Sequence, residues 1–81
     1  MITCDTGYVI YCEQEDLFYT GMGFNKSLRF AQIYHSLKYV REAIKNMPHK
    51  FPYTKDEKFE VFPVSIRLTS SFPVDIGETT D

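Results

Sequence analysis

Apolar residues stand in short unbroken runs near the start of this chain, recur in threes and fours at its middle, and in twos towards its end. Those patterns predict strands, then a helix, then a further strand. Tyr8-Val9-Ile10-Tyr11-Cys12 is rich in the β-branched and aromatic residues that suit a pleated surface. Glu13-Gln14-Glu15-Asp16 breaks the run, and Leu17-Phe18-Tyr19-Thr20 reads as a second strand. Two such runs across a short polar gap predict a β-hairpin. Gly21-Met22-Gly23 stops it, because glycine admits a positive φ or a bulge. Asn25 to Arg29 reads as a polar loop. Phe30, Gln32 and Tyr34 then alternate with Ala31 and Ile33, which predicts a short third strand, with a helix through it as the alternative.

Ser36 is the expected helix N-cap, without the acidic partner of a capping box. Beyond it, Leu37, Val40, Ala43, Ile44 and Met47 form one apolar stripe at helical spacing. Pro48 disfavours helix in the residue before it, so the helix is expected to end near Asn46 and Met47. Residues 51–58 read as a connector. From Phe59 to Leu68 the last strand sets Phe62, Val64, Ile66 and Leu68 on one face and Val61, Pro63, Ser65 and Arg67 on the other. Pro63 lacks a ladder N–H, so the strand is expected at a sheet edge or to begin near that residue. The expected fold is α+β: a small antiparallel sheet with one amphipathic helix packed across it, in the order β-β-(β)-α-β. Residues 1–68 form the single domain. Residues 69–81 form an acidic, polar tail that is loosely held or docks through Phe72 and Ile76 alone.

Composition agrees with one small core. The chain of 81 residues carries seven Phe and six Tyr but no Trp, and each ring buries a large area. No apolar run reaches the roughly 18 residues that span a bilayer. The first residues lack the basic and apolar segments of a secretory signal, so a cytoplasmic location with reduced Cys4 and Cys12 is expected. Net charge is only −2, but it is unevenly distributed. Residues 1–24 hold Asp5, Glu13, Glu15 and Asp16 and no Lys or Arg. Residues 25–50 hold Lys26, Arg29, Lys38, Arg41, Lys45 and Lys50 against Glu42 alone.

The runs Tyr19-Thr20-Gly21-Met22-Gly23-Phe24 and Ala31-Gln32-Ile33-Tyr34-His35-Ser36-Leu37, continuing to Ile44, carry a resemblance. A hairpin, a Gly-x-Gly-aromatic turn, an Ala-x-Ile-aromatic strand, a Ser-capped helix and a final strand make up the pattern. It resembles small accessory proteins encoded by phages and prophages of Gram-positive bacteria. The resemblance covers residues 7–68 by element pattern. It implies an anti-defence protein acting in the host cytoplasm, and it carries no catalytic residue.

Little in the chain promises chemistry. His35 and His49 have no Cys or carboxylate at metal-ligand spacing, so no metal and no cofactor are expected. Cys12 with His35 is the sole nucleophile–base combination, and the sequence supplies no orienting third group. Gly21-x-Gly23 lacks the third glycine and the Lys of a phosphate loop. Two charged surfaces remain. Glu13, Glu15 and Asp16 at the hairpin tip suit an Arg-lined groove on a partner, or are simply a solvated turn. Lys38, Arg41 and Lys45, three and four residues apart, share a helix face beside Tyr34 and Tyr39. That face suits phosphates and stacked bases, or is an ordinary solvated helix surface.

The function expected from these features is non-catalytic binding. The partner is a host protein or protein–nucleic-acid complex of antiviral immunity, with a CRISPR nuclease complex foremost, so that the chain would act as an anti-CRISPR. The alternative is a nucleotide or nucleic-acid binder that uses the basic helix face to sequester an immune signalling nucleotide. No membrane partner is expected, and either a monomer or a homodimer fits.

Overall fold

The computed structural model describes residues 4–70, 72 and 74–77. It is an α+β fold of one helix and a four-stranded antiparallel sheet. Strands β1 (Cys4–Cys12), β2 (Leu17–Tyr19), β3 (Phe24–Asn25) and β4 (Phe59–Arg67) stand in the order β3-β2-β1-β4. The helix α1 spans Leu37–Lys50, and single 3₁₀ turns occupy Leu28–Phe30 and Pro52–Thr54. No helix among the described residues is long and apolar enough to cross a membrane.

The expected hairpin forms. β1 pairs with β2 at Tyr11↔Phe18 and Cys12↔Leu17, around the turn at Glu13–Asp16. The third strand lies elsewhere than the alternation of residues 30–34 predicts. β3 is Phe24–Asn25, folded back on β2, and Phe30 closes a 3₁₀ turn instead. Residues 31–34 form no strand but meet the sheet at one bridge, Tyr34 with Tyr8, and at Gln32 N, which donates to Tyr19 O of β2 at 2.8 Å. The reason is that β2 is only three residues long, so the partner it leaves to β1 is the returning chain at Tyr34.

That bridge fixes the sheet edge. Tyr8 and Tyr34 exchange both N–H···O bonds at 2.8 Å, so the main-chain groups of Tyr8 point away from β4. Tyr8 pairs with Pro63 across the β1–β4 ladder. In an antiparallel pair the nitrogen of Pro63 therefore points outward, to the open side of an edge strand, and its missing N–H breaks no bond of the sheet. The edge position expected for this strand is the one observed.

Register also decides which face meets the helix. Ile10 pairs with Val61 and Cys12 with Phe59 on the helix side, whereas Val9 pairs with Phe62 on the other. Ile10, Tyr19, Val40 and Met47 form the buried core, with Tyr8, Phe24, Tyr34, Ala43, Ile44, Phe51, Phe59 and Val61 packed against it. Each aliphatic side chain buried there contributes about 1.5–3 kcal/mol. Phe62, Val64 and Ile66 lie on the opposite face, which α1 leaves uncovered; there Val9 is nonetheless buried, with Leu28 and Ile33 of the segment after β3 lying against that face.

Ser36 caps α1 as expected, its hydroxyl accepting from Lys38 N at 3.2 Å. The helix does not end at Pro48 but continues to Lys50. Proline withholds one helical hydrogen bond there, and tertiary contacts hold the last turn regardless. Met47 is buried, Phe51 N donates to Met47 O at 2.7 Å, and Lys50 Nζ donates to Gly21 O at 2.6 Å. Gly21 has φ 95°, and its carbonyl also accepts from the Tyr19 hydroxyl at 3.0 Å. Gly23 has an ordinary φ and open space around it. Gly21→Ala is therefore expected to cost about 1–2 kcal/mol, the penalty of a left-handed residue with a Cβ, and Gly23→Ala a few tenths. Paired thermal melts of the two variants check this, and equal losses would refute the assignment. In the tail, Phe72, Val74 and Ile76 are exposed, and residues 71, 73 and 78–81 lie outside those described.

Candidate protein-docking surface

Four residues, Glu13 to Asp16, make the turn between β1 and β2, and all four are exposed. Asp16 N donates to Glu13 O at 3.3 Å, which closes the turn. Asp16 itself takes φ 56°, a left-handed conformation that Asp tolerates better than most residues. The Tyr11 hydroxyl donates to Asp16 Oδ1 at 2.5 Å and so holds that carboxylate in place.

The turn is also tied to a segment far away in sequence. Gln14 Oε1 accepts from Lys58 N at 3.1 Å, and the Cys12 thiol donates to Glu57 Oε2 at 3.0 Å. The β1–β4 ladder sets Glu60 directly opposite Tyr11. Glu57 and Glu60 thus join Glu13, Glu15 and Asp16 at one end of the sheet. Sequence reasoning missed both, since they belong to a connector and a strand more than forty residues away from the turn, as the Cys12–Glu57 separation of 45 shows. The one signal that finds them is the strand register, which the chain alone does not specify. Lys55 and Lys58 lie in the same connector and offset part of this charge.

The phenol of Tyr11 reports the resulting field. Its pKa is pushed from 10.0 up to about 12, first by the hydrogen bond to Asp16, then by desolvation, then by the charges of Asp16, Glu60 and Glu13. Because the folded value is raised, neutral Tyr11 favours the fold below the ordinary value, and that contribution disappears as pH rises from 10.0 through about 12. Asp16→Asn is expected to bring the Tyr11 titration back towards the ordinary phenol range. A carbon-13 NMR titration of the tyrosine rings reads this directly, and an unmoved Tyr11 midpoint would rule out Asp16 as the main cause.

Cys12 is fully buried, and burial pushes its thiol pKa up, with the hydrogen bond to Glu57 adding to the shift. Its partner is that carboxylate rather than His35, which is exposed. Cys4 and Cys12 lie on the same strand, eight residues apart, so their backbones are roughly 26 Å apart and beyond disulfide reach. Among the described residues no group of three His, Cys, Asp or Glu side chains is arranged to hold a metal ion.

Lys38, Arg41 and Lys45 are all exposed along α1, and Tyr39 beside them is 58% exposed. Tyr34 is not part of that surface. It packs against the core and bridges to Tyr8, and burial raises its pKa. The stacking platform expected of Tyr34 and Tyr39 together is therefore reduced to Tyr39 alone.

Two clefts open near the acidic end. One, of about 520 Å³, lies on the sheet face away from α1, between Phe18, Leu28, Phe62 and Val64, and is also lined by Tyr11 and Asp16. The other, of about 460 Å³, is lined by Glu15, Leu17, Phe24, Tyr53 and Glu57. None of the residues lining either cleft comes from the basic helix face. No protein-family model, no curated protein and no solved structure matches the chain.

Proposed function

We propose that this chain is a non-catalytic binding protein whose acidic end docks on a basic surface of a partner protein. The observation that carries the reading is the convergence of Glu13, Glu15, Asp16, Glu57 and Glu60 on one end of the sheet. Such an end steers association with a basic surface and pairs with arginine through charge-assisted hydrogen bonds. Where that surface is a groove for nucleic acid, the carboxylates compete with phosphate for the same side chains. The likeness to phage accessory proteins points to a host antiviral component in the bacterial cytoplasm, and to a CRISPR nuclease complex in particular. The buried, protonated Cys12 supports a binder over a thiol enzyme.

The test is a plasmid-interference assay in bacteria carrying an active CRISPR system, with and without the chain. Restored transformation together with co-purification of the nuclease is the expected result. Unchanged interference across several system types would remove the immunity target and leave the docking surface without it. A second reading, nucleotide or nucleic-acid binding by Lys38, Arg41 and Lys45, is favoured by their exposure beside Tyr39. A thermal shift with phosphorylated ligands, weakened by salt, would support that reading instead.

A further inference from the structure

The geometry points to an arginine receptor within the acidic end: the cleft lined by Glu15, Phe24, Tyr53 and Glu57 takes the guanidinium of one partner arginine, its plane against the exposed Tyr53 ring and its N–H groups on Glu15 and Glu57. This rests on the reading of the acidic end as the docking surface, and it names the group that surface accepts. The two rings meet edge to face, 6.4 Å between centroids at 63°, so Phe24 backs Tyr53 and the guanidinium lies on the outer side of the pair. Tyr53 is 65% exposed, its ring edge packed on Phe24 and Phe51 and the rest open to solvent. Phe24 is anchored behind it by Tyr19, Phe51 and Phe59. The cleft of about 460 Å³ has room for a side-chain head, and its lining includes two carboxylates and no basic residue.

Lys50 Nζ lies 5.7 Å from the ring centroids of both Tyr19 and Phe51, on the same aromatic cluster. Glu57 already accepts the Cys12 thiol through Oε2, but a carboxylate has lone pairs on two oxygens and can accept a second donor. Arginine is the better occupant than lysine. Its guanidinium is planar, stacks on ring faces and donates in a fork that matches carboxylate, whereas an ammonium is a compact, strongly hydrated charge.

The experiment is an NMR titration of the full chain, following the ring signals of Phe24 and Tyr53, with acetyl-Gly-Arg-Gly-amide as probe. Peptides with lysine or with neutral citrulline in place of arginine serve as controls. The arginine peptide is expected to give saturable shifts, with a dissociation constant on the order of millimolar. The lysine peptide binds several-fold more weakly and the citrulline peptide not at all. Tyr53→Ala loses its ring contacts with Phe24 and Phe51 and melts somewhat lower, but stays folded by circular dichroism and weakens arginine binding roughly fivefold or more. Citrulline shifts equal to those of arginine, lysine binding as tight as arginine, or an unaffected Tyr53→Ala variant would each overturn the assignment. Glu13 and Asp16 do not line this cleft, so Glu13→Gln with Asp16→Asn leaves the titration unchanged while weakening partner docking. The receptor and the docking surface can thus fail separately.

Discussion

Met47→Asp is expected to unfold the protein at ambient temperature. Met47 is 1% exposed and packs with Ile10, Tyr19 and Val40 in the small core. The substitution removes about 1.5–3 kcal/mol of apolar burial. It also confronts a carboxylate with desolvation among apolar groups, which adds several kcal/mol or forces the group to take up a proton. A chain of 81 residues has a total stability of roughly 4–12 kcal/mol by per-residue scaling. The combined loss is comparable with that margin. Leu37→Asp is the matching control, because Leu37 lies on the same helical stripe yet is 42% exposed, and it should cost clearly less. Circular dichroism melts of the two variants distinguish them. A Met47→Asp protein that melts within a few degrees of the parent would contradict the assigned helix face.

Glu13→Gln, Glu15→Gln and Asp16→Asn together are expected to abolish protection in the interference assay while leaving the fold intact. All three are exposed, so stability should change by a few tenths of a kcal/mol at each position. The turn keeps its shape because an Asn at position 16 still tolerates the left-handed conformation. Affinity behaves differently. Each carboxylate that pairs with a desolvated basic group contributes about 2–5 kcal/mol when its partner is left behind, whereas a pair at a wet rim contributes about 1 kcal/mol or less. Loss of one desolvated pair already weakens binding by a factor of about thirty or more. Rising salt should weaken the parent complex in the same direction. Lys38→Ala, Arg41→Ala and Lys45→Ala form the opposing triple variant, expected to protect as well as the parent. A protective acidic-turn variant beside an inactive helix variant would transfer function to the basic face.

The local chain specified those elements whose stabilising contacts are close in sequence. The hairpin follows from two apolar runs across a polar gap, and the helix start from Ser36 ahead of a stripe at helical spacing, since caps, turns and amphipathic faces are set within a few residues. The edge position of β4 was legible in Pro63 alone, because proline has one fewer donor wherever it stands. Tertiary structure decided what depends on distant partners. Pro48 remains inside the helix because Met47 and Lys50 are held by the sheet side of the core, a contact that outweighs local propensity. The alternation at Phe30–Tyr34 suited a strand, but β1 had room for only one bridge there, and the third strand formed at Phe24–Asn25. Both faces of β4 are apolar in sequence, and only its register against β1 sent Val61 to the core and left Phe62 on the side away from α1. The same register carried Glu57 and Glu60 to the hairpin turn. Three of the five carboxylates at the acidic end were therefore visible in the chain, and the other two arrived by strand pairing, which acts between residues that the sequence keeps far apart.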